Sequence, residues 1–233
     1  MELNQYAQVR VEQLGGLVPV LFIDDFYVDP DAVRAEALAG RFDQAGALYP
    51  GRHAKLGGDG GQAVCAHLCR ILALLGAQGF APEDAWTDFS ILTVKAKDLL
   101  MVQKHPHVDP VAMAGVLYLT PGNSQGTCLF RNRVHGRHAL VTEEDYQAHQ
   151  KFIADYGISH EPANYEVEDS PVWERIGRIE AKYNRLVCYP GNVFHSIDLT
   201  DVGEVLDMDH VRLTQRFFFA NPGMKGAENA GTH

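Results

Sequence analysis

The stretch WTDFSILTVKAKDLLMVQKHPHVDPVAMAGVLYLTPGNSQGTCLF, Trp86 to Phe130, decides the fold. Short apolar runs follow one another through it: Asp88 to Ala96, Leu99 to Lys104, Met113 to Leu119 and Thr127 to Phe130. Each is of strand length, and Pro, Gly and charged residues punctuate the intervals. The same texture returns in Asn184 to Cys188, Val193 to Ile197 and Val211 to Ala220. Such a succession predicts a mainly β chain with packed helices (α+β), built as a sandwich or jelly roll.

Toward the N-terminus, Val18 to Phe26 reads as a buried strand. Asp29-Pro30-Asp31 then starts a helix that runs to Ala39, with an Asp cap and Pro in the first turn. Leu48 to Gly61 holds Tyr49-Pro50-Gly51 and reads as a loop. Gly61 to Ala77 has Val64, Leu68, Ile71, Leu72 and Leu75 at helical spacing. Thr142 to Tyr156 reads as an inserted helix with an acidic first turn. No linker divides the chain, so one domain is expected over 1–223, followed by a flexible tail over 224–233.

Composition narrows the classes. The 233 residues are 46% hydrophobic and 21% charged, ordinary for a globular chain. A formal charge of −10 disfavours a nucleic-acid surface, because phosphate neutralisation needs Lys and Arg. The opening MELNQYAQVRVEQL lacks a signal-peptide profile, and no apolar run is long enough to span a membrane. Cys65, Cys69, Cys128 and Cys188 form no CxxC pair, and reduced thiols in a cytoplasmic protein are expected.

The chemistry is carried by Gln103-Lys104-His105-Pro106-His107-Val108-Asp109. Residues two apart on a strand face the same side, so His107 and Asp109 can reach one cation together. The distant third ligand is His195, on the strand after the Pro190-Gly191 turn. Two imidazoles and a carboxylate form the facial triad that suits iron(II) and leaves coordination positions open. A competing reading uses His105, His107 and His195 as a zinc site of a hydrolase. Another is a metal-binding jelly roll without catalysis. With the ligands at 107 and 109, His105 stands one step back, as a supporting residue.

The last strand, Val211-Arg212-Leu213-Thr214-Gln215-Arg216-Phe217-Phe218-Phe219, places Arg212, Thr214 and Arg216 on one face. Arginine in so apolar a strand calls for an anionic partner. The distal carboxylate of a 2-oxo dicarboxylic acid fits a guanidinium in two-pronged contact, with Thr214 as a further donor. Arg212 is the expected anchor, with Arg216 as the alternative. Tyr118 reads either as a hydroxyl donor to the same co-substrate or as a core aromatic.

These motifs together resemble the 2-oxoglutarate/iron(II)-dependent dioxygenase superfamily. VLFIDDFYVDPDAVRAEAL is similar to the opening of its prolyl-4-hydroxylase-like branch. HPHVDP, GTCLFRNR, NRLVCYPGNVFHS and RLTQRFFF more closely resemble a bacterial family of uncharacterised proteins assigned to that superfamily. The resemblance spans about Val18 to Ala220. It implies a distorted double-stranded β-helix with iron(II) on His107, Asp109 and His195. It further implies 2-oxoglutarate on Arg212, with Thr214 and Tyr118 assisting, and dioxygen as the second co-substrate. The implied reaction hydroxylates a peptide side chain or a small metabolite and releases succinate and carbon dioxide. The interval from His195 to Arg212 is closer to that of alkylation-repair demethylases than to that of prolyl hydroxylases, and the acidic charge argues against their nucleic-acid substrates.

Arg131, Arg133, Arg137, His135 and His138 share a segment that reads either as a contact for an acidic substrate or as a solvated loop. Gln103 has the parity of His107. Asn192 suits its turn conformationally, and Trp86 and Trp173 read as packing residues.

Overall fold

The computed structural model describes residues 1–44, 46, 49–56, 59–94, 98–122, 125–156, 162, 164–199 and 211–221. In chain order the elements are β1 (Gln8–Leu14), β2 (Val18–Asp24), α1 (Pro30–Ala39), β3 (Asp43–Gln44), β4 (Gly51–Lys55), α2 (Gly60–Leu74), β5 (Ala85–Leu92) and α3 (Met101–Lys104). There follow β6 (Met113–Tyr118), β7 (Thr127–Asn132), α4 (Glu143–Tyr156), β8 (Trp173–Ile179), β9 (Leu186–Pro190), β10 (His195–Ile197) and β11 (Leu213–Phe219).

The strands form two antiparallel sheets. The larger has the order β1-β2-β9-β6-β11-β5-β4-β3, and the smaller is β10-β7-β8. Alternation along β11 shows how sequence divides the two faces. Leu213, Phe217 and Phe219 are buried in an outer core with Val33 and Ala37 of α1 and Val64, Cys65, Leu68, Cys69 and Leu72 of α2. Fully burying each phenylalanine stabilises the fold by about 2–3 kcal/mol. The intervening Thr214, Arg216 and Phe218 line a cavity on the other face. Val20, Phe22, Leu129, Ile179 and Val187 fill the space between the sheets. Trp173, Phe130, Phe194 and Phe152 of α4 form a third cluster, behind the smaller sheet.

Local chemistry sets the helix ends. Asp29 accepts a hydrogen bond from the Ala32 N–H at 2.9 Å and caps α1, with Pro30 in its first turn. α2 stops before the predicted Ala77, because Gly76 takes a left-handed φ of 89°. Leu75, read as part of the buried stripe, is 48% exposed.

Four expectations are corrected. Leu99 to Lys104 is not a strand: Met101–Lys104 is a helical turn, and the Gln103 side chain accepts from the Leu100 N–H at 2.9 Å. A six-residue apolar run fits a helical turn as well as a strand, and a local side-chain bond decided it. The Leu48 to Gly61 loop contains β4, which pairs with β5 from Gly51↔Leu92 to Lys55↔Asp88. The expected strand from Asp88 to Ala96 instead starts at Ala85 and ends at Leu92, and residues 95–96 lie outside the described residues. Asn184 is in a left-handed turn (φ 63°) that bonds Tyr27 through its side chain, so β9 starts at Leu186. Strands β1 and β8 have no counterpart in the sequence reading. The tail over 224–233 lies outside the described residues.

Candidate metal centre

Main-chain pairing brings the two halves of the site together. His107 N–H donates to the His195 carbonyl and His195 N–H to the His107 carbonyl, each at 2.9 Å. Asp109 N–H donates to the Gly191 carbonyl at 2.7 Å. A Cβ on Gly191 would lie 2.4 Å from the Val111 carbonyl oxygen, so only glycine lets the ligand loop lie against this turn. The Pro190-Gly191 turn is therefore a spacing device as well as a bend.

The side chains converge. One ligand atom from each of His107, Asp109 and His195 lies within 4.8 Å of the others. His195 Nε2 is 3.5 Å from Asp109 Oδ2, and the two imidazole centroids are 4.4 Å apart. The Val193 carbonyl can only accept, so His195 Nδ1 carries a proton and donates to it at 2.9 Å. When the ring is neutral, its Nε2 lone pair points to the centre, the tautomer a metal ligand requires. The His105 main chain bonds the His107 ring in a similar supporting role, and the His105 side chain stands outside the converging group.

Electrostatics agree with a cation-seeking site. Burial, then the charge of His195, lowers His107 to a pKa of about 4. Burial opposes ionisation of Asp109, yet the two histidines and Arg216 outweigh it and hold the carboxyl at about 2. Burial also opposes charge on His195, and Asp109 more than offsets it, raising the imidazole above its ordinary value. The donor set is thus one firm carboxylate with two imidazoles, which fits a divalent first-row metal that takes N and O ligands. His195 is 6% exposed, whereas His107 is exposed to solvent at the cavity.

The cavity beside these ligands has a volume of about 300 Å³. Arg212, Thr214 and Arg216 all line it, as β11 alternation requires. The two arginines differ sharply. Arg216 is committed to Asp88 through two bonds of 2.8 and 2.6 Å and also donates to His53 Nδ1 at 3.1 Å. Arg212 bonds the carbonyls of Gln125 and Gly126, at 3.3 and 3.4 Å, lies 6.0 Å from the Tyr118 ring centroid, and has no carboxylate partner among the described residues. An uncompensated guanidinium on a cavity wall is the complement of a carboxylate ligand. Thr214 Oγ1 lies 2.7 Å from Ser90 Oγ, and the Tyr118 hydroxyl 3.0 Å from Thr127 Oγ1. Tyr118 is thus buried with a partner, and burial pushes its hydroxyl up to about 12.

Sequence reasoning missed three tyrosines. Tyr49, Tyr165 and Tyr189 line the cavity, and Tyr189 packs edge-on against His195 at 5.0 Å between ring centroids. The hydroxyls of Tyr49 and Tyr165 are buried without a hydrogen-bond partner. They are far apart in sequence, with no local pattern to announce them. Gln103 also lines the cavity, but from the helical turn α3 and not through strand parity. Asn192 bonds the Leu140 carbonyl at 3.0 Å, a conformational role.

The basic segment is neutralised. Arg131 pairs with Glu174, Arg133 with Asp169, and Arg137 with Asp145 and Glu144. His135 and His138 are not among the converging ligands. Trp173 is buried as expected, but Trp86 is 49% exposed and stacks on Phe218 at the cavity edge.

Fold and site together define an antiparallel β protein with an open two-histidine, one-carboxylate centre. Residues 5–219 match the family described as "Family of unknown function (DUF6445)", and the chain belongs to that family. No curated protein matches the sequence. Among solved structures, the chain is similar to the non-heme alpha ketoglutarate dependent epimerase SnoN from nogalamycin biosynthesis, with 14% identity and a TM-score of 0.47, covering 91% of this chain and 84% of that one. It is also similar to a Pseudomonas putida prolyl-4-hydroxylase, with 16% identity, a TM-score of 0.45 and coverage of 88% and 93%. A third is HygX from Streptomyces hygroscopicus with nickel, 2-oxoglutarate and hygromycin B bound, at 14% identity, a TM-score of 0.41 and coverage of 91% and 84%. Likeness this distant assigns no chemistry, which has to come from the side chains.

Proposed function

We propose that this chain is an iron(II)- and 2-oxoglutarate-dependent oxygenase, built as a single domain over 1–223 on a distorted double-stranded β-helix. One observation carries the reading: a three-ligand centre with open positions and Arg212, a guanidinium without a carboxylate partner among the described residues, share a single cavity. A dicarboxylic 2-oxo acid satisfies both ends at once.

In this reading His107, Asp109 and His195 hold the iron, and Asp109 supplies the anionic ligand. When bound, iron(II) supplies activation of dioxygen, coupled to decarboxylation of 2-oxoglutarate to succinate and carbon dioxide and to hydroxylation of the substrate. The protein's part is binding, orientation and exclusion of water. Arg212 fixes the distal carboxylate in two-pronged contact, and Thr214 gives a hydroxyl to it. Tyr118 stands behind as a buried wall of the same subsite. Val108, Ile197 and Phe218 give the cavity its apolar lining, which keeps water from the reacting atoms. The unpartnered hydroxyls of Tyr49 and Tyr165 are available to an oxygen of a bound ligand. The substrate is a peptide side chain or small metabolite. Pairing of Arg131, Arg133 and Arg137 removes the reason to expect a strongly acidic one.

The zinc-hydrolase reading loses its third imidazole, because His105 lies outside the group and Asp109 lies inside it. Anaerobic addition of iron(II) and then 2-oxoglutarate is the direct test. A weak visible charge-transfer band, followed by succinate on admission of air, is the expected result. A protein that binds iron but gives neither band nor succinate is a metal-binding jelly roll instead.

A further inference from the structure

Strand β1 ends the larger sheet, and its outer edge has no strand beside it among the described residues. It is seven residues long, in unbroken register with β2 from Gln8↔Asp24 to Leu14↔Val18. Its sequence, QVRVEQL, contains neither Pro nor Lys. A long, flat edge without these guards offers a row of unpaired main-chain N–H and C=O groups to another strand. The apolar face of β1 is also open to solvent: Val9 is 44% and Val11 49% exposed. The opposite face, which carries Arg10 and Glu12, is covered at its far end, where Leu14 lies against Gly177 of β8.

We propose that β1 pairs antiparallel with β1 of a second copy of this chain, across a two-fold axis at Val11, joining two larger sheets edge to edge. The choice of occupant follows from charge. A two-fold axis perpendicular to the sheet keeps each face on its own side, so the axis must pass through a residue. With the axis at Arg10, two arginines face each other; with it at Glu12, two glutamates do. Only at Val11 does Arg10 face Glu12 of the partner subunit, twice over, with Val11 meeting its own copy and Val9 meeting Gln13. Opposite charges directly across a strand pair stabilise it, and like charges disfavour it. Arg10 and Glu12 are on one face and already within 2.6 Å of each other in the single chain, with side chains 39% and 46% exposed. Arg10 is also held by Asp24 at 3.0 Å and lies over the Phe22 ring at 4.4 Å, so Glu12 of the partner subunit would replace only the Glu12 contact of its own chain.

A single strand pair is a small interface, so association is expected in the micromolar range and to depend on concentration. Sedimentation of the full chain should show exchange between 25.8 kDa and twice that mass as concentration rises. Val11→Cys gives the sharpest reading. Facing residues on paired antiparallel strands lie within disulfide reach, so mild oxidation should link two copies covalently. Val9→Cys should not link, because the two copies of that residue lie about 13 Å apart along the strands in this register. The native cysteines are buried and do not compete. Glu12→Arg alone should give a monomer, since it sets a guanidinium opposite Arg10 of the partner subunit. Arg10→Glu should do the same, and mixing the two variants should restore a heterodimer. Arg10 also pairs with Asp24 at 3.0 Å, so circular dichroism must first show that Arg10→Glu is folded; the cysteine experiment does not depend on it. Equal cross-linking of the two cysteine variants, a wild type that stays at 25.8 kDa, or assemblies larger than a dimer would each overturn the proposal.

Discussion

Arg212 and Arg216 are two residues of one type on one strand face, and their neighbours give them different work. Arg216 shares a bidentate pair with Asp88, and their side chains are 18% and 20% exposed. Arg216→Ala leaves Asp88 half-buried without its cation and is expected to destabilise the fold by roughly 1–3 kcal/mol, read by chemical denaturation. Arg212 leaves only two long bonds to carbonyls behind, so Arg212→Ala should barely move stability. It should instead weaken 2-oxoglutarate by ~2–5 kcal/mol in anaerobic titration, with iron affinity nearly normal. Arg212→Lys should recover part of that loss, since a point charge lacks the two-pronged geometry. If Arg216→Ala cost co-substrate affinity and Arg212→Ala cost stability, the two roles would be exchanged. For the metal, His107→Ala, Asp109→Ala and His195→Ala should each abolish iron binding, measured by metal content after dialysis, with circular dichroism unchanged. His105→Gln should keep most of its iron, because the His105 main chain, not its ring, supports His107.

Helix α4 shows how an element outside the two sheets is tied to the site. The Arg137 N–H donates to His135 Nδ1 at 3.3 Å, so the His135 proton sits on Nε2, which faces His149 Nδ1 at 3.3 Å. Both rings are neutral in this arrangement. They close over Phe194, whose ring centroid is 4.8 Å from His149 and which directly precedes the ligand His195. Burial lowers His135, with Arg137 lowering it further and Asp145 opposing; burial and then His135 lower His149 to about 4. Folded pKa values below the unfolded value mean that the unfolded chain binds more protons as pH falls. The stabilisation from this pair is therefore complete above about pH 6.5 and is lost on acidification toward pH 4. Melting α4 by hydrogen exchange at pH 7.5 and pH 5 should show the loss, and His149→Gln, which accepts without titrating, should flatten it. An unchanged slope in that variant would place the acid sensitivity elsewhere, with His53 the next candidate. How much of this was legible differs between elements. β11 was readable, because Arg212, Thr214 and Arg216 fall at every second position beside an apolar run. Helix α1 was readable, because Asp29 and Pro30 carry their own end signals. β1 was not: Val9 and Val11 alternate with polar residues, but two valines in QVRVEQL are a short signal, and most of the strand is exposed. α3 was misread because the apolar run Leu99 to Val102 suits a short strand as well as a helical turn. The metal ligands were legible from spacing, since HxD needs only strand geometry. The Arg216–Asp88 pair and the three cavity tyrosines depend on contacts across the sheets, which no local pattern encodes.

At the scale of the whole molecule, helices α1 and α2 and the cavity occupy opposite faces of the larger sheet. The outer core carries the packing of α1 and α2, while the cavity face carries Arg212, Thr214 and Arg216 against the ligands of the smaller sheet. A ligand that bridges the metal centre and Arg212 therefore spans the two sheets and should stabilise the fold as a unit. Ligand at about a hundred times its dissociation constant adds ~2.7 kcal/mol, which for a chain of this size raises the melting temperature by roughly 5–10 °C. Two increments are expected in anaerobic melts, one from a divalent metal and one from 2-oxoglutarate added after it. Their order is the informative part. 2-Oxoglutarate without metal should give little, because Arg212 alone holds only one end of it. In Arg212→Ala the metal increment should persist and the second should shrink; in His195→Ala both should vanish together. An equal 2-oxoglutarate increment with and without metal would mean that the anion binds Arg212 independently of the centre, and the single-cavity argument for an oxygenase would fail.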